Sequence, residues 1–313
     1  MFKRILAILV CLLMGCGVYA SEYTGEILDL EIGARACGLG GAYSSIPDGN
    51  ALSSWWNPVN ILQKEGISLG AMKGREFGLF DFNCFGVGIT KKNLEFGTYP
   101  SVYLIDNIAA SILFGTIGLD SIPEFPDSLV AQPIGYFGAS EQVVFLTVAS
   151  SISKIKNAKV GLNIKYLRYD IYNCQANGIG MDLGANYKYN NTSMAIVVKN
   201  LGGTNINWQT NKQDKRPMSV VAGGTYRTGA YLVSVDLGYE YNSIVYKFGM
   251  EYTVWDLMSF RMGINKGLAF GVGLNPAIPK SWEVVKIKGL NIDYAFTTKE
   301  LGSASRVSMG LNF

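Results

Sequence analysis

Residues 231–254 read YLVSVDLGYEYNSIVYKFGMEYTV. In the first half Tyr231, Val233, Val235, Leu237, Tyr239 and Tyr241 alternate with Ser234, Asp236, Gly238 and Glu240. In the second half Tyr246, Phe248, Met250, Tyr252 and Val254 alternate with Lys247, Gly249, Glu251 and Thr253. Successive side chains of a strand point to opposite faces, so each half presents one bulky apolar face and one small or polar face. Moving outward, Met258, Phe260, Met262 and Ile264 oppose Ser259, Arg261, Gly263 and Asn265. Upstream, Ile179, Met181, Leu183, Ala185, Tyr187 and Tyr189 oppose Gly178, Gly180, Asp182, Gly184, Asn186 and Lys188. Leu290, Ile292, Tyr294 and Phe296 repeat the pattern near the end of the chain.

Alternation also suits a soluble sandwich, and a soluble exported β-protein is the alternative. Three features favour a membrane barrel. The apolar faces are continuous and bulky while the opposite faces are small and polar, as expected of strands between lipid and a polar interior. Tyr187, Tyr189, Tyr231, Tyr239 and Tyr241 fall near segment ends, where aromatic girdles would lie. Strand-like segments also continue almost to the last residue, as circular closure requires. The expected fold is all-β: a transmembrane antiparallel barrel over residues 63–313, of about 14 strands at roughly ten residues each. In the last strand Val307, Met309, Leu311 and Phe313 oppose Arg306, Ser308, Gly310 and Asn312. Its terminal Phe313 resembles the signal read by the barrel assembly machinery. Pro100, Pro123, Pro126 and Pro133 break up the region between Thr90 and Val143, where a long external loop or lid is expected.

A different kind of segment precedes the strands. Residues 33–61, GARACGLGGAYSSIPDGNALSSWWNPVNI, show neither period. Gly33, Gly38, Gly40 and Gly41 permit close backbone approach, and Asp48-Gly49-Asn50 and Asn57-Pro58 are turn chemistry. Tyr43, Trp55 and Trp56 carry too much aromatic surface to leave in water. Such a segment needs a container, so residues 21–62 are expected to form a hatch that plugs the lumen.

The presumed lumen face carries Lys165, Lys188, Lys247, Arg261 and Arg306 beside Asp182, Asp236, Glu240, Glu251 and Asp293. An open ion-selective pore would show an excess of one sign. Balanced signs point instead to ion pairs and hydrogen bonds around the plug.

Composition removes other function classes. Among 313 residues there is no histidine, which excludes His-based triads and His metal sites. A formal charge of +3 with no basic run excludes a nucleic-acid partner. Gly38-Leu39-Gly40-Gly41 lacks dinucleotide-loop spacing and no GxSxG elbow is present, so no catalytic residue, cofactor or metal is expected. Cys37, Cys84 and Cys174 form no disulfide framework and read as small apolar fillers. Residues 1–20, with Lys3-Arg4, an apolar run and Ala20 before Ser21, read as a cleaved signal peptide. Leu13-Met14-Gly15-Cys16 fits a lipoprotein box poorly, which argues against processing at Cys16.

The motifs Gly33-Ala34-Arg35-Ala36, Gly38-Leu39-Gly40-Gly41-Ala42-Tyr43 and Trp56-Asn57-Pro58 resemble the N-terminal hatch of the FadL-like superfamily of outer-membrane barrels. Asn200-Leu201-Gly202, Asp293-Tyr294-Ala295-Phe296 and Arg306 are similar to its PorV/PorQ-type group. This chain departs in having Val59 after Asn57-Pro58 and Pro47-Asp48-Gly49-Asn50 before them. The resemblance implies residence in the outer membrane, in contact with its lipid. It favours a component or shuttle of type IX-like secretion, with secretion components or exported cargo as partners. Its alternative is a transporter of hydrophobic small molecules.

Overall fold

The computed structural model describes residues 26–62, 66–92, 105–124, 135–152, 155–279, 286–299 and 302–313. The signal segment, Cys16 and residues 21–25 of the expected hatch lie outside them. The first strands are β1 (Gly66–Glu76), β2 (Phe80–Lys92), β3 (Ile105–Glu124), β4 (Gly135–Ile152) and β5 (Ala158–Ile171). Next come β6 (Cys174–Tyr189), β7 (Thr192–Lys199), β8 (Thr204–Trp208), β9 (Gln213–Arg216) and β10 (Ser219–Thr228). The last are β11 (Tyr231–Glu240), β12 (Ser243–Val254), β13 (Met258–Ile264), β14 (Leu268–Leu274), β15 (Gly289–Lys299) and β16 (Gly302–Asn312).

Every neighbouring pair is antiparallel, and β1 pairs with β16 in the register Ser68↔Asn312 to Glu76↔Ala304. That pairing closes a ring of 14 strands, with the β8–β9 hairpin standing outside it against the start of β6. Closure leaves no sheet edge within the ring, which is what a bilayer demands of strands. Tight turns between neighbours use φ > 0 at both central residues, as at Tyr241 and Asn242 (51° and 59°), the geometry whose twist matches antiparallel strands.

The even strand number sets both ends of the ring at one rim, called here the terminal end; the opposite rim is the far end. Outward positions are apolar and exposed: Ile67, Phe85, Ile164, Met181, Val235 and Phe260 among others. Tyr187, Tyr189, Tyr231 and Tyr239 are more than 40% exposed, as a girdle needs. Tyr241 is different. Its hydroxyl donates to Asp29 (3.0 Å) and Arg216 lies over its ring, so it caps the far mouth.

Two expectations need correction. The stretch from Thr90 to Val143 is not chiefly a loop: β3 and β4, 20 and 18 residues long, are the longest strands of the ring. Pro123 is tolerated near the end of β3, beside the register shift between Leu119 and Ile122. Pro100, Pro126 and Pro133 lie outside the described residues. The lumen face is also not polar throughout. Val143 and Phe145 on β4, with Leu167 and Tyr169 on β5, point inward and are buried, because the segment they contact is itself apolar.

Candidate functional site: the hatch, its seats and the chamber beside it

Residues 26–62 lie inside the ring, and from Ile32 to Leu62 nearly every one is buried. The segment holds one short helix, α1 (Ala34–Gly38), and 3-10 turns at Glu26–Asp29, Ala51–Trp55 and Pro58–Ile61. Side chains of Asn50 and Asn57 cap the last two turns by accepting from the N–H groups of Leu52 and Val59. A segment this irregular carries many backbone groups without ladder partners, and buried polar groups must find partners. Three kinds of contact hold it.

The first is close packing on paired glycines. Gly249 and Gly263 face each other across β12 and β13, and Leu39–Gly40 lies on them. A β-carbon at Gly263 would stand 2.3 Å from Gly40 N and from Leu39 C. Gly161 and Gly184, directly paired across β5 and β6, receive Asn57–Pro58 in the same way. Gly70 and Gly86, paired across β1 and β2, receive Asn50 to Leu52. Three turns of the hatch thus sit where two facing strands both lack side chains.

The second is hydrogen bonding and charge. Asp236 accepts from the N–H of Tyr43 (3.1 Å), the N–H of Ser44 (2.9 Å) and the Ser44 hydroxyl (2.7 Å). Arg35 reaches Glu251 with Nε and Nη2 (2.9 and 2.8 Å), a bidentate pair. Glu251 also accepts from Arg261 Nε (2.7 Å), and Arg261 Nη1 donates to Asp293 (2.6 Å). Arg306 bonds Glu76 and, through Nε, the Glu31 carbonyl (3.0 Å). Lys165 donates to Asp182 and Asn200 (2.6 Å each), and Lys247 lies 3.6 Å from Glu240.

Nine of the ten charges named from the sequence thus lie in the lumen. Asp236 is among them, yet it binds the hatch backbone and donors of Ser44 rather than a bonded cation. Lys188 is the tenth and needs correction: it keeps inner-face parity but is exposed at the terminal rim, where β6 ends. Asp29, Glu31, Asp48, Glu76 and Arg216 were missed. Glu76 could have been found by extending the parity of Met72 and Gly74. The hatch residues follow no period and gave no such signal.

The third is aromatic. Trp55 Nε1 donates to the Leu30 carbonyl (2.9 Å) and its ring lies 4.9 Å from that of Phe145. Trp56 Nε1 donates to the Ile32 carbonyl (2.7 Å), with Lys199 and Lys247 near its ring (5.6 and 5.7 Å). Tyr43 lies 6.3 Å from Trp56 and its hydroxyl bonds Asp48. Gly33 (φ 87°) opens α1, and Gly41 (φ 72°) lets the Trp56 ring approach to 3.0 Å of its missing β-carbon. These residues bring Gly33, Arg35, Gly38, Gly40, Gly41, Tyr43, Trp55, Trp56, Asn57 and Pro58 into one packed body. Burial pushes the Cys37 thiol up to about 12, which leaves it inert, and pushes the Asp48 carboxyl up against the pull of Arg35.

Beside the hatch, at the terminal end, is a chamber of about 540 Å³. Arg35, Asp48 and Trp56 of the hatch line it, facing Arg227, Glu251 and Asp293 of the wall. Among the described residues no cluster of metal-ligating side chains occurs.

No family model and no curated protein matches the sequence. Solved structures do match in fold. The "CymD monoaromatic hydrocarbon channel" is similar with a TM-score of 0.56 at 13% identity, over 94% of this chain and 98% of that one. The toluene transporter TodX of P. putida gives 0.54 at 11% identity, over 90% and 96%. The Ralstonia pickettii toluene transporter TbuX gives 0.50 at 13%, over 90% and 97%. The chain therefore has the fold of the FadL-like outer-membrane barrels, a closed 14-stranded ring around its own N-terminal segment.

Proposed function

We propose that the protein is a non-enzymatic outer-membrane channel for hydrophobic small molecules, with the hatch as its constriction. The carrying observation is the apolar inner wall. Met72, Phe82, Leu113, Phe145, Leu167 and Tyr169 form one buried cluster with Trp55 and Trp56. A polar solute would lose hydration along such a wall, whereas an apolar one is stabilised by leaving water. The fold shared with two toluene transporters and a monoaromatic hydrocarbon channel supports the same class of solute. The terminal end then faces the periplasm, from which the assembly machinery inserts the barrel.

The test is calorimetric titration of toluene into the detergent-solubilised protein and into Trp55→Ala. Saturable binding lost or weakened in Trp55→Ala supports passage along this wall. Absence of saturable binding in the unsubstituted protein overturns it.

A second reading is a component or shuttle of type IX-like secretion, as the PorV/PorQ resemblance implies. The tightness of the plug favours it: both tryptophans spend their N–H groups on hatch carbonyls and wedge the segment against the wall. On that reading the purified protein carries no stoichiometric hydrophobic ligand in native mass spectrometry, and secretion components co-purify with it.

A further inference from the structure

We propose that the terminal chamber is a binding site for a small organic anion, held between Arg227 of the wall and Arg35 of the hatch. The inference does not rest on passage of neutral compounds. At about 540 Å³ the chamber is of the size that binds small ligands. Its lining joins charged groups to apolar ones, including Ile32, Leu52, Trp56, Ile278 and Leu290.

The sign of the ligand follows from which hydrogen-bonding groups are already used. The inner carboxylates are engaged. Glu251 accepts three bonds from Arg35 and Arg261. Asp293 accepts from Arg261 (2.6 Å) and Asn291 (3.0 Å), and Asp48 from Tyr43 and from the N–H of Asn50 (3.0 Å). Asp256 stands exposed at the rim, in the turn between β12 and β13.

The cations are less engaged. Arg227 comes no nearer to a carboxylate among the described residues than 3.8 Å, from Nη2 to Glu251 Oε1, and its side chain makes no hydrogen bond there. Arg35 uses Nε and Nη2, leaving Nη1 3.7 Å from Asp48. Arg35 Nη2 and Arg227 Nη2 stand 2.8 and 3.8 Å from the same Glu251 oxygen, so the two guanidinium groups are neighbours. Two guanidinium groups with spare donors, sharing one carboxylate oxygen, favour a carboxylate or phosphate placed between them. The apolar lining receives the remainder of such a ligand. Because Arg35 belongs to the hatch and Arg227 to the wall, the anion would also staple the plug in place.

The test is calorimetric titration of the full detergent-solubilised protein with benzoate, benzyl alcohol and inorganic phosphate. Benzoate is expected to bind saturably, at one site, at least ten-fold more tightly than benzyl alcohol. Arg227→Gln should weaken benzoate about ten-fold or more, the loss of a hydrogen bond between charged groups, with Arg227→Lys in between. Phosphate binding of the same strength and the same Arg227 dependence assigns the site to phosphate-bearing ligands. Equal affinity for benzoate and benzyl alcohol overturns the proposal, as does anion binding unchanged in Arg227→Gln. No binding of benzoate or phosphate at 10 mM, about the weakest affinity that could matter here, overturns it too. The comparison of benzoate with benzyl alcohol uses the unsubstituted protein, so it stands even if a variant fails to assemble.

Discussion

Gly263→Ala should loosen the hatch while sparing the barrel. The added methyl carbon would stand 2.3 Å from Gly40 N and Leu39 C. Carbon and its neighbours pack comfortably only from about 3.5 Å, so something must retreat by about 1 Å. The obstructing atoms are backbone, and they cannot rotate aside as the end of a side chain would. The wall cannot give either, because Gly263 faces Gly249 on one side and Ala269 on the other within the ladder. The hatch turn at Leu39–Gly40 is the element left to move.

Overpacking of this kind costs about 1–3 kcal/mol, which multiplies the population of a displaced hatch by roughly five to 150. Single-channel recording in planar bilayers reads that population directly. Brief openings should be more frequent in Gly263→Ala than in the unsubstituted protein. Gly224→Ala is the matched control, since a β-carbon there meets nothing within 4 Å. Unchanged conductance in Gly263→Ala, with the barrel intact on heat-modifiable gels, would refute the glycine-seat argument. Equal openings in the Gly224→Ala control would refute it as well.

Other substitutions probe other links. Arg261→Met leaves Asp293 without its cation, with only Asn291 donating to it, and removes one of the donors on Glu251, a buried-pair break of about 3–5 kcal/mol; it should raise small-ion conductance, and unchanged closure would show that the charges are dispensable to the plug. Deleting Phe313 removes the reciprocal backbone bonds between Phe313 and Ile67 (2.9 and 3.3 Å) at the closing seam, along with the terminal aromatic, so membrane levels should fall; normal levels would count against this strand as the assembly signal. A maleimide reagent applied to the native barrel at pH 8 should leave Cys37 unmodified and react with the less buried Cys174, as peptide mass spectrometry would show; rapid labelling of Cys37 would mean that the hatch opens readily.

The sequence alone determined the class of fold, because period-two alternation is local. Tyr231 to Val254 declares its two faces without reference to any other strand, and the same rule assigned Asp182, Glu251, Arg261 and Arg306 to one side of the wall. The hatch was legible as a body needing a container, since glycines, turn residues and three large aromatics cannot be reconciled with water. Parity also overreached at strand ends: Lys188 has the right face but stands beyond the lumen, where solvent takes over.

Only the tertiary structure decided which residues meet. Gly249 and Gly263 are 14 positions apart in the chain, and their joint role as a seat for Leu39–Gly40 exists only once the β12–β13 register is set. The polar expectation for the whole lumen failed at Phe145 and Leu167 for a related reason. Whether an inward face should be wet or apolar depends on what stands against it, and there the neighbour is Trp55 and its cluster. Arg35 meets Glu251, Asp236 meets Tyr43 and Arg306 meets Glu31 at separations of 216, 193 and 275 residues, far beyond the reach of any local pattern. Alternation tells a side chain which way to point; the closure of the ring around its own N-terminal segment supplies what it points at.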